Sequence, residues 1–144
     1  MASSLRRLKE HALNWISSVA FSPNGHQLAS ATSDRIVELW DTQTGVCIQT
    51  FEGHSSDYIT SVAFSPNGEK LASVSVDRTV KLWNAQTGAC VATFEGHSAG
   101  TSFVAFSPDG CQLASASYDN TVKLWDVRPA TQTGSCITTS ERHT

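Results

Sequence analysis

One segment length recurs along this chain of 144 residues, and it constrains the fold more than any other feature. Phe-Ser-Pro followed by Asn-Gly or Asp-Gly begins at Phe21, Phe64 and Phe106. Leu-Ala-Ser begins at Leu28, Leu71 and Leu113, and Leu-Trp at Leu39, Leu82 and Leu124. The spacing is 43 and then 42 residues in every case. Segments 11–53 and 54–96 align without a gap and are identical at 26 of 43 positions, which is duplication. A fixed period of this length marks a repeat architecture, in which each unit buries its apolar surface against the next copy.

Each repeat reads as four short strands. The first covers 16–21, 59–64 or 102–106, and Ser-Pro-Asn-Gly or Ser-Pro-Asp-Gly follows it. Proline presets φ at the second turn position and Asn-Gly or Asp-Gly tolerates positive φ, so this is a hairpin turn. The second strand covers 27–32, 70–75 or 112–117, and a tight turn at Asp34, Asp77 or Asp119 leads on. The third, 36–40, 80–83 or 122–125, is rich in β-branched and aromatic residues. A Gln-Thr-Gly turn precedes the fourth, 47–52, 90–95 or 136–140. No window holds a 3.6-residue period, so almost no helix is expected. Several strands are apolar on both faces, as where Ala63 interrupts Val62 and Phe64, and such a sheet needs cover on both sides.

These residues resemble the WD-repeat β-propellers, whose Trp-Asp signature stands at Trp40-Asp41 and Trp125-Asp126, with Trp83-Asn84 between. The opening Gly-His stands at Gly53-His54 and Gly96-His97, and as Glu10-His11 in the first repeat. The resemblance covers roughly residues 5–143. It implies an all-β chain of three four-stranded antiparallel blades, with the ring incomplete within one chain. The whole of 1–144 is then a single partial propeller, with repeats at 11–53, 54–96 and 97–142. Leu5, Leu8 and His11 align with Ile48, Phe51 and His54, so 5–9 reads as the outer strand of a preceding blade. The chain therefore looks cut from a longer array or built to assemble: two copies would give six blades and three would give nine.

The resemblance also implies a buried hydrogen-bonded tetrad in each blade. Its members would be His11, Ser30, Asp34 and Trp40; His54, Ser73, Asp77 and Trp83; and His97, Ser115, Asp119 and Trp125. Trp offers one indole N–H, Ser relays through a hydroxyl, His both donates and accepts, and Asp accepts. A fully connected buried network of this kind fixes one geometry. Ser, His and Asp together also suggest a hydrolase triad. Against that, the set recurs three times, always with Trp, and no Gly-x-Ser-x-Gly elbow is present. No catalytic residue, cofactor site or metal site is expected. His26 falls in an exposed turn, and His143 reads as the opening His of a further repeat.

The third repeat drifts. Thr101 replaces Ile16 and Ile59, Phe103 replaces a Ser, and the loop after His97 is one residue shorter. Four residues, Val127 to Ala130, read as an insertion in a surface turn. Cys47, Cys90 and Cys136 are copies of one position and read as small apolar structural residues, with Cys111 in a semi-exposed turn. No Cys-x-x-Cys pair is present to chelate a metal.

A formal charge of −3 with scattered basic residues argues against nucleic-acid binding. No apolar run approaches the roughly 20 residues of a membrane span, and residues 1–10 lack the apolar core of a secretory signal, so an intracellular, cytoplasmic setting is expected. The expected function is a non-catalytic protein-interaction scaffold that presents a rigid propeller face. The alternative is a regulatory or substrate-recognition module of a larger enzyme or signalling protein, of which this chain is a fragment. The expected partner is a protein or peptide, with self-assembly to complete the ring as a further partner class. In this family partners often bind the loops before the first strand and between the second and third. Those positions are Trp15, Tyr58 and Gly100, and Ser33, Val76 and Tyr118. Three of the six are large aromatics, which are enriched at interface hot spots.

Overall fold

The Ser-Pro-Asn-Gly and Ser-Pro-Asp-Gly turns set the hairpins. Gly25, Gly68 and Gly110 have φ of 77°, 76° and 74°, which no β-carbon obstructs. The Asn24 side chain accepts hydrogen bonds from the Ser22 hydroxyl at 2.8 Å and the His26 N–H at 2.9 Å, and Asn67 and Asp109 repeat this in the other turns. The second turn is closed by a residue in the left-handed region, Arg35, Arg78 or Asn120, with φ of 73°, 75° and 69°.

In the computed structural model these turns join twelve strands. The structure describes Leu8 and residues 15–55, 58–128 and 136–141, the last stretch as backbone. Blade 1 holds β1 (Ile16–Phe21), β2 (Gln27–Thr32), β3 (Ile36–Asp41) and β4 (Cys47–Glu52). Blade 2 holds β5 (Ile59–Phe64), β6 (Lys70–Ser75), β7 (Thr79–Asn84) and β8 (Cys90–Glu95). Blade 3 holds β9 (Thr101–Phe106), β10 (Gln112–Ser117), β11 (Thr121–Asp126) and β12 (Cys136–Glu141). Each blade is a four-stranded antiparallel meander in which sequence neighbours pair, so β1, β5 and β9 are one edge strand and β4, β8 and β12 the other. The third strands start one residue earlier than expected in blades 2 and 3, because Thr79 and Thr121 pair with Glu95 and Glu141. No helix occurs among the described residues, so none there could cross a membrane.

Stacking of the blades supplies the core. Ala29, Ala31, Val37, Leu39 and Phe51 of blade 1 pack on Ile59, Val62, Leu71 and Trp83 of blade 2. Ala72, Val74, Val80, Leu82 and Phe94 of blade 2 pack in turn on Val104, Leu113 and Trp125 of blade 3. Each inner contact therefore joins a leading face, which carries the tryptophan with Leu and Val, and a trailing face, which carries Ala, Val, Leu and Phe. Edge hydroxyls tie the inner strands together. Ser17 donates to the Ile59 carbonyl, and Thr60 donates to the Thr101 carbonyl at 2.6 Å.

Two sequence expectations are corrected. Cys47 and Cys90 are exposed at the start of the outer strands, where the sheet edge faces solvent, and are not interior residues. Val127 is buried in the core between blades 2 and 3, not part of a surface insertion. Its N–H bonds to the Cys111 carbonyl at 3.1 Å, as Ala85 bonds to Glu69 and Thr42 to His26, so the extra residues begin after it. The reading of 5–9 as an outer strand falls, apart from Leu8, outside the described residues, as do Ala130 and His143.

Candidate functional site

The tryptophans are held by a chain of hydrogen bonds across each blade. In blade 2 the Trp83 indole donates to Ser73 Oγ at 2.8 Å, and the Ser73 hydroxyl meets His54 Nε2 at 2.7 Å. His54 Nδ1 lies 3.0 Å from Asp77 Oδ2. Blade 3 repeats this with Trp125, Ser115, His97 and Asp119 at 2.8, 2.7 and 3.0 Å. In this order Ser donates to Nε2 and His donates from Nδ1, so each member is satisfied. In blade 1 Trp40 donates to Ser30 at 2.9 Å, while His11 lies outside the described residues.

A fifth residue joins the chain. Thr79 donates to Asp77 Oδ1 at 2.6 Å and stands 3.2 Å from His54 Nδ1, and Thr121 does the same for Asp119 and His97. The signal was the spacing Asp-x-Thr, present in the second and third repeats and replaced in the first by Asp34-Arg35-Ile36. There the Thr32 hydroxyl donates to Asp34 instead. Burial opposes ionisation of Asp77. The hydrogen bonds from His54, Thr79 and the Ser55 N–H outweigh it and hold the carboxyl well below its ordinary value of 3.8. Asp119 is depressed in the same way, burial being outweighed by hydrogen bonds from Thr121, His97 and the Ser98 N–H.

Ser73, His54 and Asp77 have the connectivity of a hydrolase triad, but not its access. Ser73 is fully buried, so no substrate carbonyl reaches it, and one of the two lone pairs of its oxygen accepts the Trp83 indole N–H. The arrangement serves as a strut between β6, β7 and the loop before β5. Gly53 lets that loop close over the ring: a β-carbon there would lie 2.9 Å from Trp83 Cη2.

The Asp or Asn after each Trp has a separate job. Asp41 Oδ1 accepts the N–H groups of Gln43 and Thr44 at 2.8 and 2.9 Å, and Asn84 does the same for Gln86 and Thr87. An amide oxygen serves as well as a carboxylate, which explains why Asn84 suffices. Asp126 instead pairs with Arg128, through both the guanidinium and the Arg128 N–H.

The six loop positions lie at one end of the blades. Backbone bonds tie them pairwise: Ser33 N–H to the Trp15 carbonyl, Val76 to Tyr58, and Tyr118 to Gly100, at 3.0, 3.2 and 2.9 Å. The Trp15 and Tyr58 rings meet edge to face across the first two blades, with centroids 5.6 Å apart. Gly100 brings the third blade close to Val76, at a point where the other blades carry rings. Trp15 is 59% exposed, Tyr118 66% and Tyr58 36%, so the rings offer apolar surface to solvent. Arg35 and Arg78, exposed in the same turns, add positive charge. At the opposite end, a cleft lined by His26, Asp41, Glu69, Lys70 and Asn84 is mostly polar. No group of three or more His, Cys, Asp and Glu suited to a metal occurs among the described residues.

A protein-family model described as the IFT122 first beta-propeller matches residues 15–142, nearly the whole chain. The chain belongs to this family. No curated protein sequence matches it. The IFT122 first-propeller family is of the scaffold type, and its WD-repeat blades are the four-stranded units described above.

Proposed function

We propose that the chain is a non-catalytic scaffold that binds a protein or peptide partner on the loop face formed by Trp15, Tyr58, Tyr118, Ser33, Val76 and Gly100. The observation that supports this most is the exposure of three large aromatics on turns that hydrogen bonds hold rigid. Rigid aromatic rings give contact area at little cost in conformational entropy, and they are enriched at interface hot spots. Arg35 and Arg78 beside them favour a partner segment with acidic as well as apolar side chains. The tetrads of blades 2 and 3, and the Trp40–Ser30 bond of blade 1, act as struts that keep this face in one shape; the expected tetrad of His11, Ser30, Asp34 and Trp40 includes a residue outside the described ones. The family is named for an intraflagellar transport protein, which favours protein partners and an intracellular setting.

The test is a comparison of two variants. Partners captured by the wild-type chain are identified, remade, and titrated calorimetrically. Combined replacement of Trp15, Tyr58 and Tyr118 by Ala is expected to weaken binding at least a hundredfold while the circular dichroism spectrum stays unchanged. Replacement of Val46, just before outer strand β4, and of Val91 on outer strand β8 is expected to leave affinity unaltered. The reverse pattern would move the binding surface to the rim.

A further inference from the structure

We propose that Arg78 recognises a carboxylate side chain of the bound partner segment, beside an apolar side chain seated on Tyr58 and Val76. The inference rests on the loop-face reading above and names the chemistry that one spot on that face selects. Arg78, Tyr58 and Val76 all belong to blade 2, which has a described blade on either side.

Two copies of one turn differ in what their arginine does. Arg35 and Arg78 each follow the tetrad aspartate, with φ of 73° and 75°. In the first copy the Arg35 guanidinium reaches across the gap between blades and donates to the Ser55 carbonyl at 3.2 Å. Ser98 is the equivalent of Ser55, since their N–H groups bond to Asp119 and Asp77 at 3.0 Å. Arg78 makes no such bond to Ser98. Its N–H bonds to the Ser75 carbonyl at 3.2 Å, and its guanidinium has no hydrogen bond or ion pair among the described residues. The loops across the gap differ in charge as well. The one that Arg35 reaches includes Asp57 in its sequence, whereas Ser98-Ala99-Gly100 is one residue shorter and carries no charge.

The surroundings of Arg78 set the direction of approach. Glu95 lines the same notch from the outer strand β8 and makes no ion pair with Arg78. Its charge opposes a second carboxylate on the rim side, which leaves the inner side. That side is apolar. The Val76 N–H bonds to the Tyr58 carbonyl at 3.2 Å, which ties the arginine turn to the aromatic loop. Gly100 lets blade 3 close against this turn: a β-carbon there would lie 3.2 Å from Val76 Cα and 3.5 Å from Tyr118 Cδ2. Half-buried Val76 and the Tyr58 ring, 36% exposed, form an apolar step beside the guanidinium. Charge complementarity fixes the occupant. A guanidinium with its donors unused takes a carboxylate through two parallel hydrogen bonds. No bond within the protein is broken at Arg78, while at Arg35 a carboxylate must displace the Ser55 carbonyl.

Random peptides displayed on phage and selected on the wild-type chain test this. Peptides that lose affinity when Trp15, Tyr58 and Tyr118 are together replaced by Ala are the loop-face binders. Among these, an Asp or Glu next to an apolar residue is expected to recur. In calorimetric titrations, Arg78→Asn is expected to weaken them by roughly tenfold or more, and Arg35→Asn by less than about threefold. Asn suits this turn position, since Asn120 holds it in blade 3 with φ of 69°, and circular dichroism checks that both variants fold. Changing the recurrent acid of the peptide to its amide is expected to cost as much on the wild type and nothing further on Arg78→Asn. Loop-face peptides without a recurrent acid, equal losses on the two arginine variants, or an acid whose removal still weakens binding to Arg78→Asn overturn this inference and leave the loop-face reading standing. A selection in which no peptide depends on the three rings overturns both.

Discussion

The serine of each tetrad carries more than its size suggests. Ser73→Ala leaves the Trp83 indole and His54 Nε2 buried without partners, and a stranded buried polar group costs about 1–3 kcal/mol. Urea denaturation of Ser73→Ala should therefore show a loss of roughly 2–4 kcal/mol. The paired carboxylates make a pH signature. Asp77 and Asp119 have folded-state values depressed below 3.8, so each binds fewer protons folded than unfolded. Their stabilisation is fully present above that ordinary value and is lost as pH falls through the folded one. Asp77→Asn should be less stable than wild type at pH 7, and the gap should narrow below pH 4; thermal midpoints against pH read this directly. The tetrad members could be assigned from the family pattern, and in blades 2 and 3 the structure brings them within hydrogen-bond distance. Thr79 and Thr121 could not be assigned that way, because Ile36 breaks the Asp-x-Thr pattern in one repeat of three.

At the scale of the strand, the hairpin turns made most of the fold legible, since Pro-Asn-Gly and Pro-Asp-Gly leave the backbone few choices. Packing between blades was not legible in the same way. Thr101 reads as harmless drift, yet it is fully buried in the position of Ile59, and its hydroxyl has no hydrogen-bond partner. Thr101→Val removes that hydroxyl at constant shape and should raise stability by about 1 kcal/mol, measured by chemical denaturation. Val127 looked like part of an inserted loop because the Trp-Asp anchor precedes it; only the bond to Cys111 shows that it fills the place of Ala85. Cys47 and Cys90 read as apolar structural residues from the burial habits of free cysteine, whereas the edge strand they begin faces solvent. Gly53→Ala should also be costly, because the added carbon meets Trp83 at 2.9 Å and must push the ring off Ser73. Its tryptophan fluorescence should shift and its thermal midpoint should fall.

For the whole molecule, the blades are the support, and the loops at one end are where the three repeats differ, with Trp15, Tyr58 and Gly100 in one loop and Ser33, Val76 and Tyr118 in the other. Family membership gives the architecture and the scaffold type, while under the proposed function the side chains exposed on those loops select the partner. The aromatics at 15, 58 and 118 were readable as candidates because the repeat places them in two loops at the same end of each blade, but the Trp15–Tyr58 contact between blades was not. Replacing Tyr118 by Ala should reduce partner affinity with no change in stability, since its ring is mostly exposed. The most direct test of this binding face places a photo-reactive phenylalanine at position 15 or 118, or at 46 or 91 along the outer rim, and identifies what each probe captures. One and the same partner is expected joined to probes 15 and 118, and none joined to 46 or 91. Capture from the outer strands alone, or equally from both surfaces, would contradict it.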